Sequence, residues 1–447
     1  MRTISVLLVL FSAFAGAVPA LQAQPACSSG REHPRSELLV YPTQEEAATA
    51  ARTETGTPTD NRYLQNLTEW TLEGDTFGTT FTVPFSWINR QVILHLDSAS
   101  AAYEVSVNGQ RVAVDSDPAL PAEFNLTRWA HEGRNTLEIK LKPAAETAPL
   151  ESWRTDTQPS IGRAWVMTQP TLRIRDVLIR TKLNEANTAN AEIGLVIKSE
   201  ALNPRTSRIH YELLNPAGER ITGGTQTITL DMRQEDTIRF LTAIPDTLLW
   251  APEHPVSCTL QLKTQHEGRY VEYIELPVGF REIAVDRTGQ MLLNETERQL
   301  RACEVSPEIS TTEIAALREK GYNTLKLKAG TIRSGLYADC NRMGMLVIAQ
   351  APIDTSKSGP SRCKGGNPSN DPRWREHFIE RTADSYHTSK RHPSVIAFGL
   401  AEDSANGICL YDSYLTIKNF AESRPFIYPD GGGEWNNDPL KVDLSGK

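Results

Sequence analysis

The sequence has 447 residues, 39% hydrophobic and 23% charged, a composition that excludes a disordered or collagen-like chain. At about 100–200 residues per domain, its length predicts two to four domains. Basic residues number 47 and acidic residues 55, giving a formal net charge of −8 without blocks of like charge, so we expect no nucleic-acid partner.

The first predicted element is a secretory signal peptide. Arg2 precedes an apolar run from Ile4 to Val18, and small residues then lie just before Gln24. The alternative, a membrane anchor, requires roughly 18–20 apolar residues, and this run is shorter. No later segment reaches a transmembrane length. We therefore expect cleavage of residues 1–23 and a periplasmic or extracellular mature chain.

Residues 72–141 alternate short β-rich runs with turn signals, which predicts antiparallel strands. Asn108-Gly109 separates two of the runs and is typical of a tight β-hairpin. Strands about ten residues apart favour a sandwich or a jelly roll. The predicted strands are 79–83, 92–96, 103–107, 112–114 and 136–141.

Residues 172–283 repeat this pattern over about 110 residues, the size of an immunoglobulin-like module. The predicted strands are 177–181, 191–197, 209–214, 225–230, 258–264 and 270–276.

After Asn294 helical and extended segments alternate, which favours parallel βα units. In such sheets the chemistry lies on the loops that follow the strands. Predicted helices are 312–320, 336–343, 373–389 and 411–421, and predicted strands are 324–328, 346–348, 395–400 and 426–428.

Cysteine and histidine spacings give no metal signature. Six cysteines allow 15 pairings, so free thiols and one or two disulfides both remain open. The histidines His377, His387 and His392 are not spaced like zinc ligands. We expect no metal and no cofactor.

Several strings together resemble glycoside hydrolase family 2, the family of β-galactosidases, β-glucuronidases and β-mannosidases. In the first two segments these are TFTVP at 80–84, VSVNG at 105–109, EGRNTL at 132–137, VGFREI at 278–283 and LLN at 292–294. In the third they are GYNTLK at 321–326, LYADCNRMGMLVI at 336–348, HPSVI at 392–396 and SRP at 423–425.

The resemblance implies a multidomain β plus α/β fold. Residues 24–171 would form a jelly-roll domain resembling sugar-binding modules, and 172–283 an immunoglobulin-like sandwich. Residues 284–447 would form a shortened TIM-barrel-like glycosidase domain with five of the usual eight strands. Because five strands cannot close a barrel, we expect loops, the sandwiches or another subunit to cover the open edge.

The catalytic positions that the resemblance implies are altered. Retaining glycosidases use two carboxyl groups about 5–5.5 Å apart. The family's acid/base string SLGNES falls on GLAEDS at 399–404, which puts Asp403 at the acid/base position and Glu402 where the family has Asn. Only one of these neighbours is expected to face a substrate. The alternative is two solvated acids on a loop.

The nucleophile of the family lies near its seventh strand, whereas this sequence reaches Lys447 shortly after the fifth. Glu434, in the string GGGEW at 431–435, is the nearest later acid and a weak candidate, because a glycine-rich loop positions a group poorly. Lys326 and Gln350 also replace polar residues of the family pattern.

Three hypotheses remain. The first is an exported protein of carbohydrate metabolism, impaired or inactive in catalysis, that acts in carbohydrate binding or assembly. The second is an active retaining exo-β-glycosidase resembling β-galactosidase, and the third is a truncated copy of a longer enzyme. In either of the first two, Gln350, Asp354 and Trp435 are the candidate substrate-binding residues and a carbohydrate is the partner.

Overall fold

The structure is a computed structural model, and it describes residues 27–53, 57–155, 158–184, 188–420, 422–428 and 437–445. The predicted signal peptide at 1–23 lies outside these ranges, as do Glu434 and Trp435. In the described part of the chain, no helix is both long enough and apolar enough to cross a bilayer.

The first domain is a jelly roll of two facing antiparallel sheets whose strands follow the orders β1-β9-β4-β7 and β2-β3-β8-β5-β6. Asn108 and Gly109 have positive φ angles of 51° and 74°, as a two-residue hairpin turn requires, which confirms that prediction. The elements are α1 (Gln44–Thr53), β1 (Leu64–Asn66), β2 (Thr71–Glu73), β3 (Thr76–Val83), β4 (Arg90–Leu96), β5 (Tyr103–Val107), β6 (Gln110–Asp115), β7 (Ala122–Asn125), β8 (Gly133–Leu141) and β9 (Ala164–Pro170).

The second domain is an immunoglobulin-like sandwich with strand orders β10-β11-β14 and β13-β12-β15-β16. Alternate side chains of its strands, such as Ile193, Leu195 and Ile197, are fully buried between the two sheets. The elements are β10 (Leu172–Asn184), β11 (Thr188–Ser199), β12 (Arg205–Leu214), β13 (Arg220–Leu230), β14 (Glu235–Pro245), β15 (Cys258–His266) and β16 (Arg269–Val278).

The third domain starts with a small antiparallel sheet and continues into a five-stranded parallel sheet of order β20-β21-β22-β23-β24. The predicted alternation of helix and strand is confirmed. The elements are β17 (Ile283–Val285), β18 (Met291–Leu293), β19 (Thr296–Arg298), β20 (Ala302–Val305), α2 (Thr311–Glu319), β21 (Thr324–Leu327), α3 (Leu336–Met343), β22 (Leu346–Gln350), α4 (Arg375–Ser389), β23 (Val395–Gly399), α5 (Ile408–Lys418) and β24 (Phe426–Ile427).

The two faces of the parallel sheet differ. One face packs Leu325, Val347 and Phe398 against the helices. On the opposite face Ile348 and Ile396 belong to a separate apolar cluster, with partly buried residues of the 437–445 segment packed against it. In a closed barrel this second face would point into the lumen. Towards the carboxyl ends of the strands, the side chains on this face become polar.

The segment 437–445 covers both edges of the parallel sheet. At one edge the amide of Ala302 donates to the carbonyl of Asp443 (2.8 Å), and the amide of Asp443 donates to the carbonyl of Leu300 (2.8 Å). At the other edge the amide of Asp438 donates to the carbonyl of Phe426 (2.9 Å). The chain's own segment therefore satisfies backbone groups that an open barrel would leave unpaired.

All six cysteines are described, and all are free thiols in the structure. The spacing of the cysteines left free thiols and disulfides open, and the structure has free thiols.

Candidate functional site at the carboxyl edge of the parallel sheet

Glu402 lies at the carboxyl edge of the parallel sheet, three residues after the end of β23. Its amide donates to the carbonyl of Ile353 (2.8 Å), and its carboxylate Oε2 accepts a hydrogen bond from the amide of Ala329 (2.6 Å). The first contact joins it to the loop after β22 and the second to the loop after β21. Glu402 is thus held at the point where three consecutive strands end.

Burial raises the pKa of the half-buried Glu402 carboxyl. The hydrogen bond from the Ala329 amide opposes this shift, as do the charges of Lys328 and Lys326, whereas nearby Asp354 adds to it. Desolvation dominates because this carboxyl receives a single backbone hydrogen bond in the structure. The result is a carboxyl group that holds its proton more readily than an ordinary glutamate.

Asp403, the residue aligned with the family acid/base, is exposed. The next residue, Ser404, turns back into the fold, where its amide donates to the hydroxyl of Tyr428 (3.2 Å). Of the adjacent pair, Glu402 contacts the neighbouring strand loops and Asp403 is directed to solvent. The catalytic roles of both residues stay predictions.

Glu304 and Lys326 extend the polar layer along the sheet. Both side chains are half-buried, and Lys326 Nζ lies 3.0 Å from Glu304 Oε1. Lys328, just beyond β21, is exposed. The edge therefore offers carboxylates that accept hydrogen bonds and ammonium groups that donate them.

Gln350 and Asp354 are buried beneath this edge. Gln350 Nε2 donates to the carbonyl of Ala351 (3.3 Å), and a Cβ added at Gly399 would lie 2.1 Å from Gln350 Oε1, so a larger residue there would displace the Gln350 side chain. Asp354 Oδ1 accepts from the amide of Ser356 (2.9 Å). These side chains support the loops in the structure, and their predicted contact with a substrate stays a prediction.

A loop of the jelly roll completes the edge. Its residues 150–152 run beside 353–355, because the amide of Asp354 donates to Leu150 and the amide of Ser152 donates to Asp354, both at 2.9 Å. Glu151 is buried in this contact, and its carboxylate lies 2.6 Å from Arg381 Nη2 of α4. The first domain is thereby fixed against the carboxyl edge of the parallel sheet in the third domain.

Trp153 follows in this loop and lies over Gly330. A Cβ added at Gly330 would be 3.9 Å from Trp153 Cε3, and the guanidinium carbon of Arg154 lies 4.5 Å from the Trp153 ring centre. The sequence predicts core packing for the tryptophans of the first sandwich. Trp153 is instead half-buried at the edge, two residues after Glu151. No local sequence signal marks it, since its neighbours come from a distant part of the chain.

Among the described residues, this edge contains no group of three potential metal ligands whose atoms lie within 4.8 Å of one another.

Curated relatives are similar to this chain in sequence. A β-galactosidase of Priestia megaterium is 25% identical over 376 residues, which cover 78% of this chain and 36% of that protein. A β-galactosidase of Yersinia pestis is 25% identical over 378 residues, with coverages of 79% and 35%. The chain thus spans about a third of the length of these curated relatives.

The fold matches solved structures at low identity. The Bacteroides uniformis β-glucuronidase superposes with a TM-score of 0.67 at 16% identity, covering 92% of this chain and 54% of that one. A β-glycosidase from Bacteroides vulgatus gives a TM-score of 0.64 at 18% identity, with coverages of 79% and 45%. At such identities the match establishes the fold.

Three family models match in the order of the three domains. The sugar binding domain of glycosyl hydrolases family 2 matches residues 69–152, the central family 2 model matches 172–281, and the family 2 TIM barrel domain matches 306–444. Each match falls within the corresponding domain of the structure. The chain belongs to glycoside hydrolase family 2.

Proposed function

We propose that this chain is an exported member of the family that binds carbohydrate and has lost detectable hydrolysis of β-glycosides. One observation carries the proposal. The residue aligned with the acid/base is the exposed Asp403, while the deeper carboxylate, Glu402, is engaged by the Ala329 amide. Aspartate is one methylene shorter than glutamate, and a misplacement of about 1 Å costs roughly 10²-fold in rate.

The edge retains the features of a binding surface. Sugar hydroxyls both donate and accept hydrogen bonds, which suits Glu402 and the Glu304–Lys326 pair. A tryptophan offers a flat apolar face for a sugar ring, and Trp153 supplies one beside these groups. Loss of hydrolysis and retained binding are therefore compatible at this edge.

A second candidate function is an active exo-β-glycosidase that uses Glu402 as the acid. The raised pKa of Glu402 favours it, because a general acid must hold its proton near the working pH. The names of the β-galactosidase relatives also favour it.

Hydrolysis of nitrophenyl β-galactosides, β-glucuronides and β-mannosides separates the two candidates. The wild type, Glu402→Gln and Asp403→Asn are compared with Glu319→Gln, which removes an exposed acid at the C-terminal end of α2. We expect all four proteins to release nitrophenol no faster than the buffer. Turnover that survives in Glu319→Gln but is lost in Glu402→Gln or Asp403→Asn would establish the enzyme instead.

Calorimetry with a panel of oligosaccharides tests the binding role. We expect Trp153→Ala to weaken the best ligand at least about tenfold, equal to about 1.4 kcal/mol. Phe85→Ala is the control, because Phe85 is a highly exposed aromatic residue of the same domain. Absence of heat with every glycan, or equal affinities in the two variants, contradicts sugar binding at this edge.

Export is supported by the signal-peptide pattern of residues 1–23 alone. Expression of the whole sequence in a bacterium, followed by fractionation and mass spectrometry, is expected to yield a periplasmic or secreted chain that starts near Gln24. A full-length product in the cytosol contradicts export.

A further inference from the structure

A second group of polar side chains lies outside the carboxyl edge, on the outer face of the jelly-roll sheet β1-β9-β4-β7. His95 of β4 stands in register with Glu123 of β7 on one side and Trp165 of β9 on the other. The His95 and Trp165 rings stack, with centroids 3.9 Å apart and an interplanar angle of 8°. The imidazole is therefore held in one orientation.

Both nitrogens of this buried imidazole face carboxylates. Nε2 lies 3.0 Å from Asp97 Oδ1, and Nδ1 lies 3.6 Å from Glu123 Oε1. Glu37 of the N-terminal segment completes the group, since one ligand atom each from Glu37, His95 and Asp97 lie within 4.8 Å of one another. One imidazole and two carboxylates converge there.

Arginines fix the carboxylates around the cluster. Arg163 Nε donates to Asp97 Oδ2 (2.7 Å), which leaves Oδ1 on the side of His95. Arg35 donates to both oxygens of Glu123, at 2.8 and 2.7 Å. A histidine ligand of a metal ion commonly directs its second nitrogen at such a carboxylate.

We propose that Glu37, His95 and Asp97 bind one divalent transition-metal ion. Zn²⁺ is the ion used to test this. Two ligand atoms 3.0 Å apart can each lie about 2.1 Å from one ion, an ordinary bond length for zinc with nitrogen or oxygen. The ion has room for water ligands, because a cavity of about 310 Å³ lined by all three residues opens between the domains. Glu123 is the outer partner of His95.

The three proposed ligands come from two separate parts of the chain. Glu37 precedes the first domain's strands, whereas His95 and Asp97 lie at the end of β4. An ion shared by them would tie the N-terminal segment to the jelly-roll sheet. The same cavity is lined by Glu275 of the second domain and Tyr337 of the third, so the site lies where the three domains meet.

The full mature chain, stripped with a chelator, is titrated with ZnCl₂ and separately with MnCl₂ by calorimetry. We expect one saturable site in the wild type, lost in His95→Gln and weakened at least about tenfold in Glu37→Gln. Glu123→Gln should weaken binding about 10–100-fold, the usual effect of removing an outer partner. Glu45→Gln, which removes an exposed carboxylate on the adjacent helix α1, should leave the affinity unchanged.

Thermal unfolding provides a second measurement, since an ion that binds the folded chain raises its Tm. At one Zn²⁺ concentration, the Tm of the wild type and of Glu45→Gln should rise by more than that of Glu37→Gln. Because Glu37 is exposed, this variant is expected to fold even if His95→Gln does not. The proposal is overturned if the wild type shows no saturable binding, which would mean that the cluster holds only a proton. It is also overturned if Glu37→Gln binds as tightly as the wild type.

Discussion

The carboxyl edge and the junction between the domains both concentrate charged side chains, but they are built differently. At the edge, Glu304, Lys326 and Glu402 are half-buried. At the junction, jelly-roll acids meet arginines and acids of the N-terminal segment and α4, and most of these side chains are buried. We call this second group the interdomain charge network; its members are Arg31, Asp115, Asp117, Glu151, Glu380, Arg381 and Asp384.

Burial raises the pKa of Asp115, Asp117 and Asp384 in the network, as it does for Glu402 at the edge. Arg381 links the parts of the network, donating to Pro352 (2.8 Å), Ser116 (2.9 Å) and Glu151 (2.6 Å). Carboxyl groups with raised pKa values therefore occur both at the domain junction and beside the family's acid/base position. A raised pKa alone does not identify a catalytic site.

The largest expected effect is a loss of folding stability when the interdomain charge network is disrupted. Arg381→Met removes the guanidinium that pairs with buried Glu151, which keeps Arg154 as a second partner, and removing one partner of a buried pair typically costs about 3–5 kcal/mol. We expect a loss of this size in urea unfolding. The control is Arg375→Met, because the contacts of Arg375 with Asp412 and Glu376 are largely exposed and such pairs contribute about 0–1 kcal/mol. Equal losses in the two variants would contradict a structural role for the network.

The next effect depends on pH. Asp117 is fully buried, and its carboxylate oxygens have no hydrogen-bond partner among the residues that the structure describes. Burial raises its pKa in the folded state despite nearby Arg381. The folded chain therefore binds this proton more tightly than the unfolded chain, and stability falls as the pH rises through the raised pKa.

Asp117→Asn removes that pH dependence. We expect the variant to be more stable than the wild type at pH 8, with the difference shrinking towards pH 4. Urea unfolding at pH 4, 6 and 8 measures it, with Asp339→Asn, at a more exposed ion pair, as the control. A variant less stable than the wild type at pH 8 would show that the charged form of Asp117 stabilises the fold.

The smallest stability effect is expected at the edge. Glu402→Gln keeps an oxygen that can accept the Ala329 hydrogen bond, so the free energy of unfolding should change by less than about 1 kcal/mol. Its sugar affinity should fall nonetheless. A loss as large as that of Arg381→Met would place Glu402 among the structural charges.

Much of the fold was predictable because local patterns determine it. Alternation of buried and exposed residues predicts strands such as β8, and Asn108-Gly109 predicts the hairpin between β5 and β6. β14 was not predicted. The face opposite its buried Ile238, Phe240 and Ile244 carries the exposed apolar residues Leu241 and Ala243, so the sequence shows no clean alternation of apolar and polar residues.

The candidate site was predictable in position but not in orientation. The sequence by itself determined three modules in the family order and placed Glu402 and Asp403 just after a strand of the parallel sheet. Only the tertiary structure decided that Glu402 turns to Ala329, that Trp153 of the first domain lies at the edge of the third, and that Glu37 meets His95. The reason is physical: strand patterns are local, whereas these contacts join residues tens to hundreds of positions apart, and packing between domains sets them.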